Sequence, residues 1–176
     1  MMAADYTHIV EGCRRRDRVA QRQLYDAMAP MAMGVCMRYV RNREEAQDLM
    51  QEGFVHVFEH LSQLREVEKL PAWVRKVMVN ECLHHFRRQR LTMVTGDLGI
   101  ADRAEPPLDP FADEEVVLAL QQIAPQQQVV FNLVAVEEYG YDEVAKLLHC
   151  SEVNVRALYS RARGRLREIL NENKKK

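Results

Sequence analysis

Arg156, Ala157, Ser160 and Arg161 fall together on the outer side of a short segment, YDEVAKLLHCSEVNVRALYSRAR, that spans Tyr141 to Arg163. The chemistry they offer is recognition rather than bond making. Arginine forks hydrogen-bond phosphates and the exposed edge of guanine, and small neighbours let a backbone approach, so this face suits a DNA major groove. A second set, Lys76, Asn80, His84 and Arg87 with Arg88 beside it, lies along one side of a helix expected over 71–90. An amide reads a base edge and basic groups hold a backbone, which fits single-stranded or duplex DNA. A third set is acidic: Asp48, Gln51, Glu52, Val55 and Glu59 share the far side of a helix expected over 44–61, either a partner-binding face or a solvated one.

No set includes a nucleophile with an evident base, and the chain lacks a Gly-rich phosphate loop, so no enzymatic activity is predicted. The nearest metal-like group, Cys82, His84 and His85, has no second ligand pair and reads as an ordinary helix surface; neither metal nor cofactor is expected.

The elements that must position these faces are helices. Asp142 and Glu143 suit the positive end of one helix dipole, and Val144, Leu147 and Leu148 form its apolar side. His149 and Cys150 make a turn. Ser151 can cap the next helix, whose inward stripe is Val155, Leu158, Tyr159, Ala162 and Leu166. Together they read as a helix-turn-helix. Upstream, helices are expected over 6–13, 18–28, 31–41, 44–61 and 71–90. Asn42 with Glu45 supplies capping chemistry for the fourth, and Pro71 sits in the first turn of the fifth. Ala46, Leu49, Gly53, Phe54, Val57, Phe58 and Leu61 form the buried stripe of the fourth; Val74, Val77, Met78, Cys82 and Phe86 that of the fifth, with Trp73 expected in the core.

Between Leu91 and Ala112 the periodicity lapses, and Gly96, Gly99 and three prolines appear among Asp97, Asp102, Glu105 and Asp109. This is the composition of a flexible acidic linker. The expected architecture is all-α: two small helical domains, 1–90 and 113–173, joined by a linker at 91–112, with a basic tail at 174–176.

Size and charge agree with that division. A chain of 176 residues with 47% hydrophobic content can bury one or two ordinary cores. The formal net charge of -1 is unpromising for a nucleic-acid binder until its distribution is considered. Positive charge gathers at Arg75 to Arg90 and again from Arg156 to the terminal lysines, while acids occupy 44–59 and 97–115. Four scattered cysteines without a C-x-x-C pair suit reduced thiols. No signal-peptide core or membrane-spanning run is present, so a cytoplasmic location without membrane insertion is expected.

In their order and spacing, QDLMQEGFVHVFEHL, AWVRKVMVNECLHHFRRQR, a Pro-rich linker and IAPQQQVVFNLVAVEEYGYDEVAKLLHCSEVNVRALYSRARGRLREIL resemble the bacterial extracytoplasmic-function sigma factors. The resemblance covers nearly the whole chain. It implies a sigma region 2 bundle followed by a sigma region 4 helix-turn-helix, with core RNA polymerase and promoter DNA as partners and an anti-sigma protein as a candidate regulator. It further implies that Asp48, Gln51 and Glu52, with Phe54 supporting from inside, dock on the clamp helices of the largest polymerase subunit. Leu61 to Pro71 becomes the loop that specifies a flipped minus-10 base, and unstacking that base costs a few kcal/mol, which a pocket can offset. Asn80 lies near the captured base, with Lys76 and His84 on the same face and Arg87 and Arg88 on the backbone. Arg156, Ala157, Ser160 and Arg161 become the minus-35 contacts, and the linker passes near the polymerase cleft.

Three departures from the family pattern matter. His149 stands where glycine is usual and must take a left-handed conformation. Leu158 replaces a frequent arginine, and Gln126 to Gln128 replace a basic helix start, which leaves fewer phosphate contacts. Two rivals keep part of the pattern: a dimeric helix-turn-helix regulator, which leaves the first domain unexplained, and a helical protein-binding adaptor, which leaves the arginines as solubility devices.

Overall fold

The computed structural model describes residues 6–90 and 113–173, so the linker expected at 91–112 and the tail at 174–176 lie outside the described residues. The chain divides into two compact units: residues 1–37 with 42–85, and residues 38–41 with 86–176. Among the described residues there is no strand.

The first unit holds α1 (Thr7–Arg14), α2 (Arg18–Met37), α3 (Arg43–His60) and α4 (Leu70–Arg90) through His85. Its start signals are those the sequence carries. The Asn42 side chain accepts from the Glu45 N–H at 2.8 Å and so caps α3, satisfying one of the first-turn donors that a helix leaves unpaired. Glu44 and Glu45 add negative charge at the positive end of the same helix.

Two expected helices, 18–28 and 31–41, are corrected to the single α2, with Pro30 inside it. Proline in a helix interior forfeits a hydrogen bond and costs about 3 kcal/mol. Buried positions nevertheless continue across it, Leu24 and Met28 before and Ala32, Val35 and Cys36 after. Each large apolar side chain buried contributes about 1.5–3 kcal/mol, so the stripe as a whole outweighs the proline.

The helices of this unit cross closely. A Cβ on Gly12 would stand 2.5 Å from the Ala20 Cβ, and one on Gly53 would meet the Met78 thioether. These two glycines bring α1 onto α2 and α3 onto α4. The connection from α3 to α4 contains two 3-10 turns, Leu61–Gln63 and Val67–Lys69, and is pinned by the buried Leu61, Leu64 and Leu70.

The second unit contains α5 (Asp113–Leu120), α6 (Pro125–Phe131) running into a π-helical segment (Asn132–Val136), α7 (Tyr141–Leu148) and α8 (Glu152–Asn173). Leu120, Ile123, Phe131, Ala162, Leu166 and Ile169 form its core, so α8 is the element on which the others pack. Glu143 accepts from the Gly140 N–H at 2.8 Å at the start of α7, and Ser151 Oγ accepts from the Asn154 N–H at 3.2 Å at the start of α8. His149 closes α7 at φ 52° and ψ 50°, the left-handed conformation that the turn demands.

Candidate nucleic-acid interface

On the first unit, α3 and α4 present two chemically different faces. Asp48, Gln51, Glu52 and Val55 are exposed along α3, an acidic strip with one apolar residue in it. Phe54 is buried, with Tyr25 at 4.6 Å and Phe58 at 6.2 Å between ring centroids, so it supports the strip from within. On α4, Lys76, Asn80 and His84 are exposed; Arg88, exposed, and Arg87, half-buried, follow on the end of the helix that belongs to the second unit.

Two hollows adjoin that α4 face. One, of about 420 Å³, is lined by His56, His60, Trp73, Lys76, Asn80, Glu81 and His84. The other, of about 360 Å³, is lined by Leu64, Arg65, Glu66, Lys69, Trp73 and Lys76. Gln63, Trp73 and Lys76 border both. Trp73 is therefore corrected from core to a half-buried wall of two cavities. Its ring offers a stacking plane beside a lysine and an amide, the combination by which single-stranded nucleic acid is held. Glu81, buried, keeps its carboxylate 2.6 Å from His56 Nδ1 and so fixes the wall of the larger cavity.

On the second unit, α8 carries the arginine face. The Arg156 guanidinium lies 4.7 Å over the Tyr141 ring and 3.7 Å from Glu152, which holds it at the outer edge. Ser160 and Arg161 are half-exposed. Ala157 is corrected: it is 5% exposed, because the face of α8 covered by its neighbours takes in Ala157 along with Val155 and Leu158. Arg163 stacks against Tyr159 at 5.6 Å, and burial of that tyrosine pushes its hydroxyl pKa up.

The family description Sigma-70 region 2 matches residues 24–92, and Sigma-70, region 4 matches residues 113–166. The chain belongs to the sigma-70 family. Its relatives place it in the extracytoplasmic-function group. It is 26% identical to the RNA polymerase sigma-H factor of Pseudomonas aeruginosa over 170 residues, 88% of each chain. It is 25% identical to the ECF RNA polymerase sigma factor SigM of Mycobacterium tuberculosis over 134 residues, 74% of this chain and 66% of that one. Among solved structures, the sigma factor RpoE in complex with the anti-sigma factor NepR from Bartonella quintana shares the fold, with a TM-score of 0.50, 19% identity, and coverage of 85% of this chain and 96% of that one.

The sigma factor thus works by binding, and its partners are core RNA polymerase and promoter DNA. No helix among the described residues is long and apolar enough to cross a membrane. Sequence reasoning missed two surfaces. Val153, 57% exposed in the first turn of α8, is an apolar residue off the inward stripe, and that mismatch was its signal. The run Arg14, Arg15, Arg16, Arg18 and Arg22 is signalled by composition alone and lies outside the basic clusters at Arg75 to Arg90 and from Arg156 onward.

Proposed function

We propose a division of labour among these faces. Asp48, Gln51 and Glu52 on α3 dock on the clamp helices of the largest polymerase subunit, while Phe54 keeps their backbone in place. The α4 face, Lys76, Asn80 and His84 with Arg87 and Arg88, meets the melted minus-10 element, and the paired cavities around Trp73 receive the extruded base. Arg156, Ser160 and Arg161 on α8 read the minus-35 duplex from the second domain. The domains run over 1–90 and 113–173, and the protein acts in the cytoplasm.

The observation that carries this reading is the hollow shared by Trp73, Lys76 and Asn80 on a basic helix face. A duplex-only repressor has no use for a base-sized cavity there. An anti-sigma protein that covers the exposed α3 strip would silence the factor, and this is the form of regulation the reading favours.

Reconstituted transcription with core polymerase and genomic DNA tests the whole scheme. Promoter-specific transcripts are expected. Their absence beside an active control sigma factor would end it, and a footprint on duplex DNA without core enzyme would favour a dimeric regulator instead.

A further inference from the structure

Val153 sits where folding does not call for it. It is 57% exposed in the first turn of α8, where acidic side chains suit the helix dipole and a β-branched one gives up χ1 freedom. The polar groups around it are already engaged. The Asn154 N–H donates to Ser151 Oγ at 3.2 Å, and the Glu152 carboxylate lies 3.7 Å from the Arg156 guanidinium. Of the two valines in that turn, Val155 is buried and Val153 is left outside.

Helical register places it more sharply. At about 3.6 residues per turn, Val153 lies on the side of α8 opposite the buried Val155, Ala162 and Leu166. Ser160 and Gly164 follow on the same line, and Arg156 and Arg161 stand to either side of it. A Cβ on Gly164 would meet nothing within 4 Å, so no packing within the described chain requires a glycine there, although glycine weakens a helix interior. The outer line is thus apolar at its start, small further along and flanked by guanidinium groups. Ala157, which the sequence offers as the apolar member of this face, is 5% exposed and leaves that role to Val153.

We propose that Val153 is a specificity-determining residue, which packs on the C5-methyl group of a thymine in the major groove of the minus-35 duplex. The proposal rests on the reading of α8 given above. Residues at the start of a recognition helix meet base edges, and the thymine methyl is the apolar group that those edges display. Contact with it takes both the methyl and the valine out of water. Cytosine at the same place shows an amino group and no methyl, so the valine selects against it. Val153 and Arg161 are eight residues apart, about 12 Å along the helix axis, so they read different base pairs. The flanking arginines favour a polyanion over an apolar protein surface as the occupant of this face.

The test uses holoenzyme assembled from the full chain and core polymerase, with a promoter recovered by the reconstituted transcription described above. Each thymine of its minus-35 element, on either strand, is replaced in turn by uracil, which keeps the base pair and removes the methyl alone. Wild-type binding should weaken about threefold to fourfold at one position, the worth of one buried methyl. Cytosine at that position should weaken binding further, and 5-methylcytosine should recover part of the loss. Val153→Ala should bind the thymine promoter less tightly, by about the same factor, and respond equally to thymine and uracil there. Its discrimination at the base pair read by Arg161, its assembly with core polymerase and its denaturation midpoint should match the wild type.

A wild-type holoenzyme indifferent to uracil at every minus-35 position overturns the proposal, as does a Val153→Ala variant that keeps the full response to uracil. If Val153→Ala weakens assembly with core polymerase and leaves the uracil response intact, this face binds protein and the proposal fails. Should Arg161→Ala also leave binding of the minus-35 duplex untouched, the reading of α8 falls with it; a loss in Arg161→Ala beside an indifference to uracil refutes the role of Val153 alone.

Discussion

His56 on α3 and Glu81 on α4 meet at 2.6 Å, side by side with the crossing of the two helices at Gly53. The Glu81 side chain is 8% exposed and that of His56 47% exposed, so the histidine shields a carboxylate that has little access to water. The contact joins the helix assigned to polymerase with the helix assigned to DNA.

His56→Ala should destabilise the first domain by about 1–3 kcal/mol, the desolvation cost of a buried polar group left without its partner. Glu81→Leu in the same background should recover part of that loss, because an apolar side chain needs no partner. Urea denaturation of the four variants of this cycle gives the coupling directly. Strict additivity would show that the pair contributes nothing.

Gly12→Ala isolates a different contact. The added methyl would sit 2.5 Å from the Ala20 Cβ, closer than two carbons can stand, so α1 must move off α2. Overpacking of this kind costs about 1–3 kcal/mol. The denaturation midpoint should fall accordingly, and an unchanged midpoint would mean that α1 contributes little to the fold.

Much of this geometry was legible in the sequence, because caps and turns are local. Asn42, Ser151 and His149 do what their chemistry and neighbours dictate, each through a hydrogen bond or a dihedral set within a few residues. The expected break between 18–28 and 31–41 failed because local sequence does not show the tertiary burial of Leu24, Met28, Ala32 and Val35 that carries one helix across Pro30. Ala157 failed for a related reason: how much of α8 is covered depends on the helices packed against it, which periodicity within α8 cannot show. Trp73 looked like core because it is the one tryptophan of a small helical chain, and only the hollows on either side reveal it as a wall.

Stability of the second domain should depend on pH at both extremes. The Lys146 side chain, by hydrogen bond first and by charge second, holds the Asp142 carboxyl below its ordinary value. A depressed carboxylate contributes stability above its unfolded pKa of about 3.9, and that contribution disappears as pH falls through the lower native value. Asp142→Asn should therefore lower the midpoint at neutral pH and have no effect at strongly acidic pH. Tyr159 runs the other way. Burial raises its pKa, so its contribution is complete below the unfolded value of about 10 and is lost as pH rises through the native one. Tyr159→Phe should remove the alkaline loss, read as denaturation midpoint against pH.

Arg161 and Arg156 separate base reading from positioning on α8. Arg156 is already engaged, 4.7 Å over Tyr141 and 3.7 Å from Glu152, which orients its guanidinium before any DNA arrives. Arg161, half-exposed five residues further along, makes no such contact among the described residues and is free to choose its hydrogen-bond geometry on a base edge. Arg161→Ala should weaken duplex minus-35 binding by about 1–3 kcal/mol and relax sequence preference at one position, while assembly with core polymerase is unchanged. Tyr141→Leu should act through Arg156, lowering affinity by less and nearly evenly across sequences, as loss of a positioning contact does. Competition binding with duplex variants, beside a core-assembly assay, decides the matter. Equal loss of DNA binding and core assembly in Arg161→Ala would reject the separation of the two domains' tasks.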